Sequence, residues 1–284
     1  LKLPPTAVLG SAALAPVAVC VAMPSSRTRD AAVCALNMWA YLAAYEMPHD
    51  NPQRLADRAR VGYPIAIDRA LGLGVLPTVR LQHGFSSPGS VNRLERVLVW
   101  SHWMWFFVPH ASVGYVLLRD REQSPSAAAR LYAVLHLGAF FYWAISIAPP
   151  WWAAAHGRFG DGTTAAVRRM MIEYGEQFWG DRWGGLYDVL GGNPLAAMPS
   201  LHFATSLMAA HLLSEVDPVA GAAGWAYAAT LGVALVYLGE HYLAALLGGA
   251  ALTEAVRFGA PKAAPLVRGL SRLVQALEAR SGGE

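Results

Sequence analysis

Charged residues are scarce in this sequence of 284 residues. Lysine, arginine, aspartate and glutamate make up 14% of it and hydrophobic residues 55%, against roughly 25% and 45–50% in soluble globular domains. This balance argues against a soluble enzyme and predicts a protein embedded among membrane lipids. The net charge of +3 comes from basic residues scattered over short connections, which argues against nucleic acid as a partner.

Cysteine is nearly absent as well. Cys20 and Cys34 both lie in apolar stretches, and their number and spacing provide neither a disulfide framework nor a cysteine-based metal site. Histidines and carboxylates do not cluster at the helical spacing of a metal site, which argues against a metal-dependent membrane hydrolase. We therefore expect no metal and no cofactor. The sequence carries no signal for an oligomeric state.

Long apolar runs recur along the chain, and a helix needs roughly 17–25 such residues to cross a bilayer. The runs cover about 6–23, 31–47, 95–118, 127–148, 201–214, 219–238 and 242–258. They predict an all-α integral membrane bundle of about six or seven transmembrane helices, the first run being interpreted as a span and not as a signal peptide. No shift in composition divides residues 1–284, so we expect one domain, with longer polar loops at about 48–94 and 149–198.

Basic residues indicate the orientation of this bundle. If the spans alternate, the short connections with Arg27, Arg119 and Arg130 share one side with the tail that contains Lys262. The positive-inside rule assigns that side to the cytoplasm. The helix that follows Pro199 then begins on the outer side, so the sequence predicts a protein of the bacterial plasma membrane whose active site faces the extracytoplasmic side.

Two histidine motifs open apolar runs. They are Pro199-Ser200-Leu201-His202 and Gly239-Glu240-His241-Tyr242. The free N–H groups and the dipole of a helix start form an anion site, to which Ser200 and His202 add a hydroxyl and an imidazole. The interval of 39 residues between the histidines accommodates one helix out and one back, since two spans need roughly 2 × 20 residues. We therefore expect both at one membrane face, where one attacks phosphorus and the other protonates the leaving oxygen.

These motifs resemble those of the type 2 phosphatidic acid phosphatase superfamily, and within it the branch related to inositol phosphorylceramide synthase. Leu201 stands where most of the phosphatases have glycine, as in that branch, and Gly248-Gly249 follows the second motif. The resemblance implies that His241 forms a phosphohistidine and that His202 is the general acid for the departing alcohol. It also implies a lipid phosphate or phosphodiester as substrate, with water or an alcohol as acceptor.

The chain departs from this family at the phosphate clamp. The family's lysine and Arg-Pro pair, seven residues apart, is not present in that form. Arg168 and Arg169 are the candidates to bind the phosphate, because a guanidinium presents a fork of donors to phosphate oxygens, and Arg158 and Arg182 are weaker ones. A solvated loop pair or an interfacial anchor is the alternative interpretation.

A second departure concerns the nucleophile. The family places an aspartate four residues after the nucleophilic histidine, where it fixes the imidazole tautomer and stabilises the cation that forms. Ala245 occupies this position, so the chain is either a natural pseudoenzyme or an inactivated variant, and the intact histidines favour the variant. The alternative function is a non-catalytic protein that binds or transports lipid phosphates. His102 and His110 are interpreted as core or interfacial histidines.

Overall fold

The computed structural model describes residues 5–46, 51–87, 89–159, 167–190 and 193–281. These residues are helical apart from turns and isolated β-bridges, which confirms the all-α class. The helices are α1 (Pro5–Ala22), α2 (Arg27–Glu46), α3 (Pro52–Asp57), α4 (Gly62–Leu71), α5 (Pro77–Phe85), α6 (Arg93–Trp103), α7 (Val108–Arg119), α8 (Ser124–Ala144), α9 (Pro150–Ala155), α10 (Met170–Trp179), α11 (Trp183–Leu190), α12 (Leu201–Val216), α13 (Pro218–Tyr237) and α14 (Leu243–Ser281).

Two helices of the described residues are long and apolar enough to cross a bilayer, namely α13 and the stretch Leu243–Arg280 of α14. The six or seven transmembrane helices expected from the apolar runs are therefore not confirmed. The run 95–118 divides into α6 and α7 around a 3₁₀ turn, where Pro109 lies in the first turn of the second helix. Composition alone cannot distinguish such a pair from one continuous span.

Helix α12 lies at the centre of the molecule. It packs against α7, α8, α13 and α14, and its Met208 and Leu212 are buried in one core cluster with Leu131 and Leu135 of α8. Large apolar side chains also face outward, as Phe258 of α14 does with 70% of its surface exposed. Apolar surface of this kind is what a helix bundle presents to lipid or to a partner.

The starts of α12 and α14 are held in one register by backbone contacts. The Ser200 N–H donates to the Ala245 carbonyl oxygen at 2.9 Å. One turn later, a Cβ atom on Gly249 would lie 2.5 Å from the carbonyl oxygen of Ser200, so the glycine allows the two backbones to approach. The Thr253 hydroxyl then donates to the Ala204 carbonyl at 2.8 Å. This register brings together the residues that precede each helix.

Ion pairs mark the opposite end of the bundle. Arg119 lies 3.6 Å from Asp217, which caps α13, and Arg130 lies 2.6 Å from Glu215 near the end of α12. Sixteen residues of α12, at a rise of about 1.5 Å each, separate this basic end from the start of α12 by roughly 24 Å. The basic connections and the histidine motifs therefore lie at opposite ends of the helices.

The two stretches expected as polar loops contain short helices, α3 to α5 in 48–94 and α9 to α11 in 149–198. Residues 48–50, 88, 160–166 and 191–192 of these stretches lie outside the described residues. A short extended segment links the two stretches. The Arg60 N–H donates to the Ser146 carbonyl at 2.9 Å, and Ile147 donates its N–H to the Leu195 carbonyl and accepts from the Ala197 N–H, both at 3.0 Å. This pairing fixes the position of Ala197.

Candidate active site

The two motif histidines lie in direct contact. The Nε2 atom of His241 is 3.2 Å from the Nδ1 atom of His202. His202 occupies the first turn of α12, whose N-cap is Ser200, and His241 lies in the turn between α13 and α14. The out-and-back helix pair thus brings the histidines to one end of the bundle, as their spacing predicts.

A backbone carbonyl determines the tautomer of His241. Its Nδ1 atom lies 2.7 Å from the carbonyl oxygen of Ala197. A carbonyl oxygen accepts and never donates, so Nδ1 carries the proton and the neutral ring keeps its lone pair on Nε2. The contact with His202 then runs from the Nδ1–H of His202 to Nε2 of His241. A phosphate that enters between the rings must separate them and replace this hydrogen bond.

Burial keeps His241 neutral. The residue is 4% exposed and lies outside the two candidate spans. Burial lowers the pKa of His241 to about 4, although its hydrogen bond with the Ala197 carbonyl acts in the opposite direction. The lone pair on Nε2 is therefore available at neutral pH, as a nucleophile requires.

A cavity of about 300 Å³ opens beside the two histidines. His102, Tyr142 and Glu240 contribute to its wall. The rest of the wall is aromatic or aliphatic apart from Asn193, and its aromatic part includes Trp103, Trp105, Phe106, Trp151, Trp183 and Tyr187. Such a wall suits a ligand with a large apolar part, and the few polar groups determine where its head group lies.

Arg169 lies next to this cavity and contacts residues of its wall. Its guanidinium stacks on Trp151, with Cζ 3.7 Å from the ring centroid, and donates to the Tyr187 hydroxyl at 2.9 Å. The Nη2 atom is 4.0 Å from Oε1 of Glu240. Burial raises the pKa of the Glu240 carboxyl, while the charge of Arg169 and a hydrogen bond with Trp151 act in the opposite direction.

Arg168 is engaged elsewhere. Its guanidinium pairs with Glu173 and donates to the Ser86 hydroxyl and to the carbonyl oxygens of Ser87 and Ser90. A further contact of 3.5 Å joins it to the buried Glu95. Arg168 thus connects α10 to the segment between α5 and α6. The two neighbouring arginines, which the sequence alone left equivalent, therefore make different contacts in the structure.

A sequence model of the PAP2 superfamily matches residues 65–257. The chain belongs to this superfamily. No curated protein and no solved structure matches the chain. Membership indicates phosphatase or phosphotransferase chemistry on a phosphate-bearing substrate, and the matched region contains both motif histidines and both arginines.

Two positions that the motifs single out are buried and do not line the cavity of this PAP2 protein. The Ser200 hydroxyl accepts from the Phe203 N–H at 3.3 Å and is fully buried, so it acts as a helix cap. Among the described residues that line the cavity, Ser200 is not found. Ala245 is also fully buried, in an apolar cluster with Ala197 and Tyr242.

Sequence reasoning missed three residues in or beside the candidate site. His102 was expected to be a core or interfacial histidine, but its ring centroid lies 4.7 Å from that of His202 and its Nδ1 atom has no hydrogen-bond partner. Glu240 lines the cavity. Asp68 accepts from the N–H groups of Leu243 and Ala244 at 2.9 and 2.8 Å and so caps α14 directly after His241. The neighbouring tryptophans of His102 gave a weak signal, and Asp68 gave none.

Proposed function

We propose that this chain is a membrane-embedded lipid phosphatase or lipid head-group phosphotransferase that works through a phosphohistidine on His241. One observation carries the proposal. The Nδ1–H of His241 is held by a backbone carbonyl while Nε2 faces a second imidazole at 3.2 Å. A nucleophile held in one tautomer beside an acid–base partner is the arrangement that covalent phosphoryl transfer requires.

The first step transfers the phosphoryl group to the protein. The lone pair of His241 Nε2 attacks phosphorus, and the bond from phosphorus to the leaving alkoxide breaks. His202 acts in its imidazolium form, gives a ring proton to that oxygen and becomes neutral, so the alcohol leaves neutral. The Ala197 carbonyl stabilises the positive charge that develops on His241, since it accepts from Nδ1.

The second step releases the phosphoryl group. An oxygen of water or of a second alcohol attacks the phosphohistidine, His202 takes up its proton, and the bond from phosphorus to Nε2 breaks. Water gives a phosphatase and an alcohol gives a transferase. Leu201 in the first motif, as in the inositol phosphorylceramide synthase branch, favours transfer.

The lipid nature of the substrate is supported by the surroundings of the site. Two candidate membrane spans adjoin His241, one on each side, and the cavity wall is mostly formed by aromatic and aliphatic side chains. The basic end of the bundle lies opposite the histidines. With that end in the cytoplasm, the site opens at the outer face of a bacterial plasma membrane.

Ala245 favours a second candidate function. Without the aspartate of the family, the chain could bind a lipid phosphate or transport it without turnover, as a pseudoenzyme or an inactivated variant. Both candidates predict binding in the same cavity, but only an enzyme forms a covalent intermediate.

Trapping the phosphohistidine tests the proposal. The purified chain in detergent is incubated with phosphatidic acid and, separately, with phosphatidylglycerol, each labelled with ³²P in the phosphate, then quenched in base and assayed for acid-labile label on the protein. We expect label on the unaltered chain and none on His241→Gln. His211→Gln is the matched control, because His211 lies on α12 away from the cavity wall and pairs with Glu254 at 3.0 Å. Binding of the lipid without label would refute the enzymatic proposal and support the second candidate.

A further inference from the structure

Two residues of opposite charge, Glu240 and Arg169, lie at or beside the cavity wall. Among the described residues of the cavity wall, the carboxylate is Glu240, and lysine and arginine are absent. Arg169 is not among the wall residues but contacts two of them, Trp151 and Tyr187. The other nearby cation in sequence, Arg168, is already paired with Glu173 and Glu95.

Arg169 and Glu240 lie close together, but each has a polar atom without a hydrogen-bond partner. Their nearest atoms are 4.0 Å apart, which is longer than a hydrogen bond. Arg169 Nε and Glu240 Oε1 are both buried and have no hydrogen-bond partner. Buried polar atoms of this kind are costly unless a ligand completes them, so the pair points to a polar group that binds beside it.

The net charge of this end of the site is consequently near zero. In the free protein His241 is neutral in its assigned tautomer, and the contact with His202 needs only the Nδ1–H that a neutral His202 also carries. The undescribed segments 160–166 and 191–192 contain no lysine, arginine or histidine. Those two segments therefore add no positive charge.

We propose that Glu240 acts as a charge filter, which cancels the charge of Arg169 so that the cavity accepts a phosphate group with one negative charge in preference to a dianion. Phosphodiesters carry one negative charge, whereas a phosphomonoester carries about 1.5 to 2 at neutral pH. The second charge would meet the Glu240 carboxylate in a partly desolvated site, where like charges repel strongly. The proposal rests on the proposed function only for the class of ligand.

Binding of two lipids that share acyl chains tests the filter. Short-chain phosphatidic acid is the monoester probe and short-chain phosphatidylglycerol the diester probe, both measured in a nonionic detergent at about pH 8, where the monoester is dianionic. The unaltered chain should bind the diester more tightly. In Glu240→Gln the affinity for the monoester should rise about tenfold or more, and the affinity for the diester should change by less than about threefold.

Glu173→Gln is the matched control, because it also removes a carboxylate from an arginine pair but lies away from the cavity wall. It should leave the ratio of the two affinities unchanged. Should Glu240→Gln fail to fold, Glu240→Ala replaces it, and Glu240→Asp, which keeps the charge, should keep the preference for the diester.

Three results would overturn the filter. They are equal changes for both probes in Glu240→Gln, a tighter binding of the monoester by the unaltered chain, and a change of ratio in Glu173→Gln as large as in Glu240→Gln. Failure of the filter can be distinguished from failure of the enzymatic proposal. The charge preference is measured by binding and needs no turnover, whereas the ³²P label on His241 is measured on the unaltered chain and does not depend on the preference. If neither lipid binds the unaltered chain, both proposals fall.

Discussion

The Nδ1 atom of His241 lies 2.7 Å from the backbone carbonyl oxygen of Ala197, so a main-chain group holds the imidazole where the PAP2 family has a carboxylate. Ala197 is itself fixed by its pairing with Ile147. The tautomer is thus set without the side chain at position 245. Compared with the family's aspartate, Ala245 therefore lacks a negative charge beside the His241 ring but leaves the orientation of that ring unchanged.

Ala245→Asp is therefore expected to raise turnover only moderately. A hydrogen bond to a charged acceptor contributes about 1.5–3 kcal/mol and one to a neutral acceptor about 0.5–1.5 kcal/mol. The difference corresponds to roughly a tenfold increase in kcat. In a serine-protease triad, loss of the aspartate costs about 10⁴ because the wrong tautomer results. Release of phosphate or head group in detergent measures the gain.

Ala245→Asn is the control for this substitution, because asparagine has nearly the same size and no charge. It should give no gain over the unaltered chain. If asparagine performs as well as aspartate, charge is not what position 245 contributes. If aspartate raises turnover by several orders of magnitude, the Ala197 carbonyl does not hold the tautomer in solution.

The proximity of His202 and His241 was predictable from the sequence, whereas the contacts of the Ala197 carbonyl and of Asp68 were not. Their interval and the apolar run between them predict a helix pair that returns to the same end. The Ala197 carbonyl gives no sequence signal, because every residue carries the same backbone acceptor. Asp68 lies 175 residues from the α14 N–H group that it caps, and no local pattern reveals a contact over such a distance.

The helix count shows a different limit. Hydropathy predicts how apolar a run is, but the backbone direction changes within the run 95–118, at the 3₁₀ turn Met104–Phe106. This turn lets α6 end with His102 at the cavity. The feature that breaks the expected span therefore also supplies a residue of the candidate site.

His102→Gln should lower kcat/KM. The ring of His102 packs against His202, and its buried Nδ1 has no hydrogen-bond partner, so we expect it to bind an oxygen of the substrate. Losing one hydrogen bond to a charged phosphate costs about 1.5–3 kcal/mol, or roughly 10- to 100-fold in kcat/KM. Steady-state kinetics on the better of the two lipid probes measures the loss.

His110→Gln is the matched comparison for His102. His110 lies on α7, with its ring 6.1 Å from that of Tyr132. Its replacement should change kcat/KM by less than about threefold. Equal losses in the two variants would mean that His102 contributes packing and not substrate binding.

Arg168 and Arg169 should separate in their effects. Arg168→Gln leaves the fully buried Glu95 without its cation and should destabilise the fold by about 2–3 kcal/mol, measured as a lower Tm in detergent. Arg169→Gln removes the cation beside the cavity and should weaken competition by orthovanadate about tenfold with a smaller change in Tm. A reversed pattern would assign the phosphate clamp to Arg168.

Gly239 determines how the chain turns into the second motif. Its φ of +77° lies in the left-handed region, and a Cβ atom there would collide with Cγ1 of Val167. Its carbonyl oxygen accepts from the Trp151 N–H at 3.1 Å, which links this turn to the residue that stacks on Arg169. Gly239→Ala should therefore cost about 1–3 kcal/mol of stability through backbone strain alone.

The same substitution should also displace the two residues that follow. Glu240 and His241 continue directly from Gly239, so ³²P labelling of Gly239→Ala should fall even below its Tm. Gly114→Ala is the control, because Gly114 lies in α7 with open space around its missing Cβ. There alanine should leave labelling unchanged and add up to about 1 kcal/mol of stability, since it favours a helix over glycine. If the two alanine variants melt and label alike, the turn at Gly239 tolerates a side chain and does not position His241.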